Sequence, residues 1–368
     1  MGQSPPGETY NTLGNGLPFF QGKAEFGKDY PTRVKWCSQP NRIAEKGDIL
    51  LSVRAPVGPT NIAIEKCCIG RGLAAIRTNP KVCNQRYLRY YFRRFEDEIA
   101  ARGVGSTFFA INRTDIERLE LSVPPLLDQE RIVKLLDEAD ELRKLRGQAD
   151  KKSAELIPAL FEEMFGDPII NQNKWKATTL ADACIKIADG THFSPPPAKS
   201  GVPYITAKHL RDYGLDFERD PTFVSEEDHR EIYRRCDPKR GDVLYIKDGV
   251  TTGIAAINYY DFEFSMLSSL ALLRPNPEKC NSEYLCEWLN NKRVKSTMLD
   301  QMAGAAIRRL TLVKINKASI LLPPINIQQA FASRVSEIRA LESSQSSSRK
   351  NLDALFQSML HRAFQGEL

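Results

Sequence analysis

A long-range internal repeat constrains this chain more than any other feature. Residues 73–88 and 270–285 share Leu73/Leu270, Ala74/Ala271, Arg77/Arg274, Asn79/Asn276, Pro80/Pro277, Cys83/Cys280, Asn84/Asn281, Tyr87/Tyr284 and Leu88/Leu285 at one constant offset. The correspondence continues in order. Gly47-Asp48-Ile49-Leu50 mirrors Gly241-Asp242-Val243-Leu244, Gly105 precedes Pro125 as Gly304 precedes Pro324, and Gln129 answers Gln328. Ala159-Leu160-Phe161 with Met164 mirrors Ala354-Leu355-Phe356 with Met359. A duplication of this period means two copies of one domain, each with its own core. The length, 368 residues, suits two such domains, and two copies suit a target that is itself bipartite.

Each copy divides into three parts. The first is β-rich: Ile49–Val53 and Val243–Ile246 are short apolar runs after Gly-Asp turns. Proline loops such as Ser4-Pro5-Pro6-Gly7 and Ser194-Pro195-Pro196-Pro197 exclude helix nearby. The second is a basic and aromatic helix expected over 84–102, with its counterpart over 281–303. The third is a long helix after each proline pair, Val123-Pro124-Pro125 and Leu322-Pro323-Pro324. Alternating three- and four-residue spacing through Ile132, Leu135, Ala139, Leu142, Leu156 and Leu160 predicts a helix seam. Phe331, Val335, Ile338, Leu352 and Leu355 predict its partner. Pro158 should kink or end the first helix. Ser343–Ser348 is a poor helix centre by propensity. The seam resumes in phase beyond it, so the helix is expected to run through. Helices of about 38 residues would be ~57 Å long. Packed antiparallel, they would place the β-rich domains in a pseudo-two-fold arrangement. Half two opens with Lys174-Trp175-Lys176-Ala177-Thr178-Thr179-Leu180; half one has no counterpart, so either the chain is expected to be N-terminally shortened or its first domain to lack edge structure.

Enzyme motifs are absent. No phosphate loop, nucleophile elbow or paired-histidine zinc motif occurs. The proline pairs lack the polar acceptor and aromatic of the adenine-methylating Asp/Asn-Pro-Pro-aromatic motif. Gly70-Arg71-Gly72 alone is too weak for a cofactor loop. The eight cysteines form no C-x-x-C and are expected to be reduced and mostly buried; no metal site is expected. No stretch of about 18 apolar residues is present, and the first residues show no signal pattern. A net charge of +6 and a pI near 8.8 mildly favour a polyanionic partner. The donors that read base edges and anchor phosphates sit on turns. In half one they are Gln3, Ser4, Gln21, Lys23, Arg54, Ser106, Thr107, Asn112 and Arg113. In half two they are Thr191, His192, Lys208, Lys247, Thr251, Thr252, Arg308 and Arg309.

Taken together, Gly2-Gln3-Ser4-Pro5-Pro6 with Tyr10-Asn11, the Gly47–Gly58 strand and turn, Val123-Pro124-Pro125 before Gln129-Glu130-Arg131-Ile132, and the two Ala-Leu-Phe helix endings resemble the specificity (S) subunit of type I DNA restriction-modification systems. The resemblance covers essentially the whole chain. It implies an α+β fold of two target recognition domains, 1–125 and 169–324, each followed by a conserved long helix, 126–168 and 325–368. It also implies that the chain is not an enzyme and binds no cofactor. It would read double-stranded DNA in two unlike half-sites. Its helices, with the seam residues above, would space the half-sites and dock two methyltransferase (M) subunits, which restriction (R) subunits join. Those partners would use S-adenosylmethionine, ATP and Mg. The expected location is the cytoplasm. Two other classes are weighed against this one. A two-domain protein scaffold would show no salt-dependent DNA binding. A stand-alone methyltransferase or nuclease would act on DNA by itself.

Overall fold

The computed structural model describes residues 1–103, 109–211, 214–302 and 309–368. Gly105, Ser106, Thr107, Gly304 and Arg308 lie outside the described residues. The chain divides into unit 1 (1–147 and 347–368) and unit 2 (148–346). Up to the first long helix run β1 (Tyr10–Asn11), β2 (Leu17–Phe20), β3 (Lys35–Cys37), β4 (Ile43–Ala44), β5 (Ile49–Ser52), β6 (Thr60–Ile62), β7 (Cys67–Ile69), β8 (Leu73–Ile76), α1 (Gln85–Arg94), α2 (Glu96–Ala100), α3 (Arg113–Glu117) and α4 (Leu126–Ser153). There follow α5 (Leu156–Phe165), β9 (Lys176–Thr179), α6 (Leu180–Ala183), β10 (Cys184–Asp189), β11 (Val202–Ile205), β12 (Leu210–Arg211), β13 (Gly214–Leu215), β14 (Phe223–Val224), α7 (Glu226–Arg235), β15 (Val243–Ile246) and β16 (Ala255–Ile257). The rest are β17 (Ser265–Met266), β18 (Leu270–Pro275), α8 (Ser282–Asn290), α9 (Lys292–Asp300), α10 (Leu312–Lys317), β19 (Ser319–Leu322) and α11 (Ile325–Ala363).

The same strand pairings recur in both units. In unit 1, β5 lies between β6 and β8, and β2 runs parallel to β7 with Phe19 opposite Cys68. In unit 2, β15 lies between β16 and β18, and β11 runs parallel to β17 with Tyr204 opposite Ser265. The strands after the Gly-Asp turns are covered on both faces, which is why they read as unbroken apolar runs. Val243 and Tyr245 enter one core cluster while Leu244 and Ile246 enter another. Ile49 and Leu51 are separated from Leu50 in the same way. The Lys174–Leu180 lead-in of unit 2 supplies strand structure: β9 pairs with β19, and β10, which follows α6, with β18. Among the described residues of unit 1, no strand pairs with 119–123, the segment equivalent to β19.

The long helices run antiparallel within each unit. In unit 1, Ile132, Val133, Leu136 and Ala139 of α4 pack with Phe356, Leu360 and Ala363 of α11, and Arg143 reaches Asp353 at 2.6 Å. In unit 2, Phe161 and Phe165 of α5 lie 5.8 and 5.2 Å from Phe331 of α11, and Ser153 meets Gln345 at 2.9 Å. α11 passes through Ser343–Ser348 without interruption. The first helix breaks at Ala154-Glu155, four residues before Pro158 loses its N–H and crowds the preceding turn.

The seam itself is a correction to the sequence pattern. Ile132, Phe331 and Val335 are buried, whereas Leu135, Leu160, Ile338 and Leu352 are half-buried. Leu142, Leu156 and Leu355 are exposed, at 53, 44 and 52%. Ile157, Phe161, Phe356 and Leu360 hold the inward positions instead. The cause is a third helix. Tyr87 and Tyr90 of α1 pack into the α4–α11 cluster of unit 1, and Tyr284 of α8 stacks on Phe161 at 5.5 Å in unit 2. A helix packed on two neighbours buries a face shifted from a two-helix seam.

The residues the repeats share prove to be scaffold. The Gln129 amide accepts from Asn84 N at 2.7 Å and donates to Val82 O and Pro124 O. Gln328 does the same with Asn281 N, Lys279 O and Pro323 O at 2.8, 3.0 and 2.7 Å. Arg77 makes a two-pronged pair with Asp48, and Arg274 with Asp242. Asn84 and Asn281 cap α1 and α8. The Tyr87 and Tyr284 hydroxyls donate to Ser122 O and Leu321 O.

At equivalent positions around these helices the charges are reversed. In unit 1, Arg86 pairs with Asp137, and Arg93 and Arg143 pair with Asp140. In unit 2, Arg339 stands where Asp140 does and pairs with Glu283, the counterpart of Arg86. Glu287 lies beside them, and burial pushes its carboxyl up to about 7, with Arg339 opposing and Glu283 and Glu342 adding to the shift. A carboxyl raised in the folded state contributes stability below its unfolded pKa of about 4.5, and this is lost as pH rises through about 7. Glu287→Gln is therefore expected to make unit 2 more stable than the unmodified protein at pH 8 but not at pH 4.5. Urea midpoints at the two pH values check this, and an identical difference at both would refute it.

Candidate nucleic-acid interface

Backbone hydrogen bonds gather five segments where β2, β5 and β7 end. Gln3 N donates to Ile69 O at 3.2 Å, Gly70 N to Phe20 O at 2.8 Å and Gly72 N to Gln21 O at 3.1 Å. Val53 N donates to Gly72 O at 2.9 Å, Ile111 N to Val53 O at 3.0 Å and Ala55 N to Phe109 O at 3.0 Å. Gln3, Ser4, Gln21, Arg54 and Arg71 thus share one surface with Phe109, which is 60% exposed. Ile69 N donates to Arg42 O, so Arg42 stands beside it. No carboxylate among the described residues pairs with Arg42, Arg54 or Arg71. By contrast Arg33, Arg77, Arg86, Arg89, Arg93 and Arg94 all hold ion pairs. Arg113 is engaged with Glu117 at 2.7 Å, and Asn112 caps α3. Lys23 is exposed.

Unit 2 repeats the crossing with different side chains. Thr191 N donates to Met266 O at 2.8 Å, Leu267 N to Ile205 O at 3.1 Å, Lys247 N to Ser269 O at 2.9 Å and Leu310 N to Lys247 O at 3.0 Å. These bonds set Thr191 opposite Gln3 in the repeat, Lys247 opposite Val53, and Ser268 opposite Arg71. Lys247 departs from the expected free donor. Its position is a core position, as Val53 shows at 1% exposure, and the lysine is 6% exposed. Its ammonium lies 3.1 Å from Asp248 and 3.7 Å from Asp189. Asp189 also receives Arg235 at 2.9 Å and faces His192 at 3.3 Å. Thr191 and Thr252 are buried and spend their hydroxyls on turns, the second bonded to Gly249 O at 2.6 Å. Lys208 pairs with Asp220 at 2.9 Å. Next to it, burial holds His209 below the ordinary histidine range, and its ring bridges Thr206 N and Asp220 O. Exposed groups at this end of unit 2 include His192, Phe193, Thr251 and Arg309, with Val250 at the tip of the β15–β16 turn.

The exposed donors of this surface suit hydrogen-bonded recognition of a polyanion. Among the described residues no group of His, Cys, Asp and Glu is arranged to hold a metal ion. All eight cysteines are buried and unbridged. No described helix is long and apolar enough to cross a membrane. Sequence reasoning missed Arg71, Arg42 and Phe109. The flanking glycines of Gly70-Arg71-Gly72 were the available signal for the first.

Comparison with known proteins adds a family. The chain matches the type I restriction modification DNA specificity domain over residues 37–152 and 172–350, one match in each half. It is 43% identical over 164 residues to the "Putative type I restriction enzyme MjaX specificity subunit" of Methanocaldococcus jannaschii, a match spanning 44% of this chain and 39% of that protein. A second protein of that organism, the type I restriction enzyme MjaIX specificity subunit, is 23% identical over 322 residues, 82% of this chain and 72% of that one. Among solved structures, a chain from a study of complex assembly and conformational transition of the type I R-M system has a TM-score of 0.65 at 20% identity, covering 98% of this chain and 92% of that chain. The S subunit from M. genitalium has a TM-score of 0.53 at 16% identity, covering 99 and 92%. At these identities the structural likenesses show the fold.

Proposed function

The chain belongs to the family of type I restriction-modification DNA specificity domains, and from that premise we propose that it addresses a split, asymmetric DNA site, unit 1 reading one half and unit 2 the other. One observation carries this reading: the side chains shared by the repeats are scaffold, while those at the two loop crossings differ. Position by position, Gln3 is replaced by Thr191, Arg71 by Ser268 and Ala110 by Arg309, so the two crossings cannot present the same donors and acceptors to base edges. The chain itself performs no catalysis in this reading. Methyltransferase subunits dock on the long helices, where Leu142, Leu145 and Leu355 of unit 1 and Leu156 and Leu341 of unit 2 are exposed. Restriction subunits join them. Those partners bring S-adenosylmethionine, ATP and Mg, and the complex works in the cytoplasm, where the DNA is.

Co-expression with a methyltransferase partner, followed by mapping of N6-methyladenine across the DNA, tests the reading. A split motif with unlike halves is expected. A palindromic motif, or methylation indifferent to sequence, would count against it. Because α4 contributes residues to both units, deleting four residues, about one helical turn, within it is expected to change the spacer and leave both half-sites intact. The same methylation map reads this, and an unchanged spacer refutes it.

A further inference from the structure

We propose that Arg71 reads a guanine in the half-site of unit 1; the assignment rests on the DNA-reading role above. The residue sits at the centre of the loop crossing on a backbone with no freedom to drift. Gly70 N, Gly72 N and Leu73 N are bonded to Phe20 O, Gln21 O and Gly70 O, and Arg71 N donates to Ser4 Oγ at 3.4 Å. The glycines around it permit this stacking of chains. A Cβ on Gly72 would lie 2.4 Å from Gln21 O, and one on Gly2 would lie 2.2 Å from Gly70 O. Only the side chain of Arg71 projects from the turn, exposed and free of any ion pair among the described residues.

A guanidinium offered in this way can make two parallel hydrogen bonds to guanine O6 and N7, the commonest specific contact to a base. A fixed Cα reduces the freedom lost when that geometry forms. Gln3 and Gln21 flank it with amides suited to a neighbouring adenine. Arg42 and Arg54, on adjoining segments, are placed for backbone phosphates, which position a protein without specifying sequence. Unit 2 has Ser268 at the equivalent point. Serine bonds to either kind of base edge and has no fork. The guanine therefore belongs to one half-site and has no counterpart imposed by Ser268 in the other.

The test uses the full chain assembled with its methyltransferase partner. Methylation motifs are mapped for the unmodified protein, Arg71→Gln and Arg71→Lys. Since no ion pair is lost, both variants are expected to unfold at the temperature of the unmodified protein. Arg71→Gln is expected to lower discrimination at one G·C position of the unit 1 half-site by about ten- to a hundredfold, with the unit 2 half-site unchanged. Arg71→Lys is expected to fall between. A motif kept at every position while methylation drops evenly over all sites would make Arg71 a phosphate contact and overturn the assignment. Relaxation in the unit 2 half-site would overturn it too. If the unmodified protein directs no split motif, the reading of the whole chain fails and the assignment with it. An intact split motif left unaltered by Arg71→Gln sinks the assignment alone.

Discussion

Replacing Gln328 with leucine is expected to cost unit 2 about 4 kcal/mol. The side chain is fully buried and its amide serves three backbone groups: Asn281 N, Lys279 O and Pro323 O. Leucine fills much of the same volume but can satisfy none of them. Each buried polar group left without a partner costs roughly 1–3 kcal/mol. A loss near 4 is a large part of a domain's typical total of about 5–15 kcal/mol. The effect should stay in unit 2, and Gln129→Leu should act in the same way on unit 1, where its amide holds Asn84 N, Val82 O and Pro124 O. Hydrogen exchange resolved by segment reads the two units separately. A change below about 1 kcal/mol would mean that water replaces the amide and that the shared glutamines are not structural keystones.

Arg274→Met is expected to be nearly as damaging, by about 3–5 kcal/mol. Asp242 is 2% exposed and accepts Nε and Nη2 of Arg274 at 2.8 Å each, with Lys239 N as a third donor. Removing the arginine strands a carboxylate in the core and also frees Asp237 O. Removing both partners is another matter. The Asp242→Leu, Arg274→Met pair is expected to recover much of the loss, because two apolar groups demand no charge compensation. A double variant as unstable as the single one would show that the backbone bond from Lys239, rather than the ion pair, holds this turn.

These sites explain what was legible in the sequence. The repeat was visible because Gln328, Arg274, Asn281 and Tyr284 are tied to backbone groups that any copy of the fold must satisfy. The Gly-Asp strands, the helix after Asn84, the helix starts after the proline pairs and the break before Pro158 follow from local chemistry. The inward face of the long helices did not, because α1 and α8 press on them from a distance in sequence and turn Leu142, Leu156 and Leu355 outward. Of the proposed reading residues, Gln3, Gln21 and Arg54 gather at one surface, since each lies on an exposed turn. Lys247 was misread. No local pattern announces that Asp189, far upstream, closes over it. Arg71 was missed for the complementary reason, since its setting exists only once Gln21, Gly2 and Val53 cross beneath it.

The reversed charges between the repeats have a consequence for folding fidelity. Two copies of one architecture in a single chain are each other's nearest competitors, and their apolar surfaces alone would sort poorly. Setting α8 against the α4 frame would bring Glu283 and Glu287 toward Asp137 and Asp140. Setting α1 against the α11 frame of unit 2 would bring Arg86 toward Arg339. Like charges meeting at a partly buried contact are penalised, and the native pairings are not. The chain thus carries an address on each helix, written in the sign of its charges, that tells duplicate parts which frame is their own.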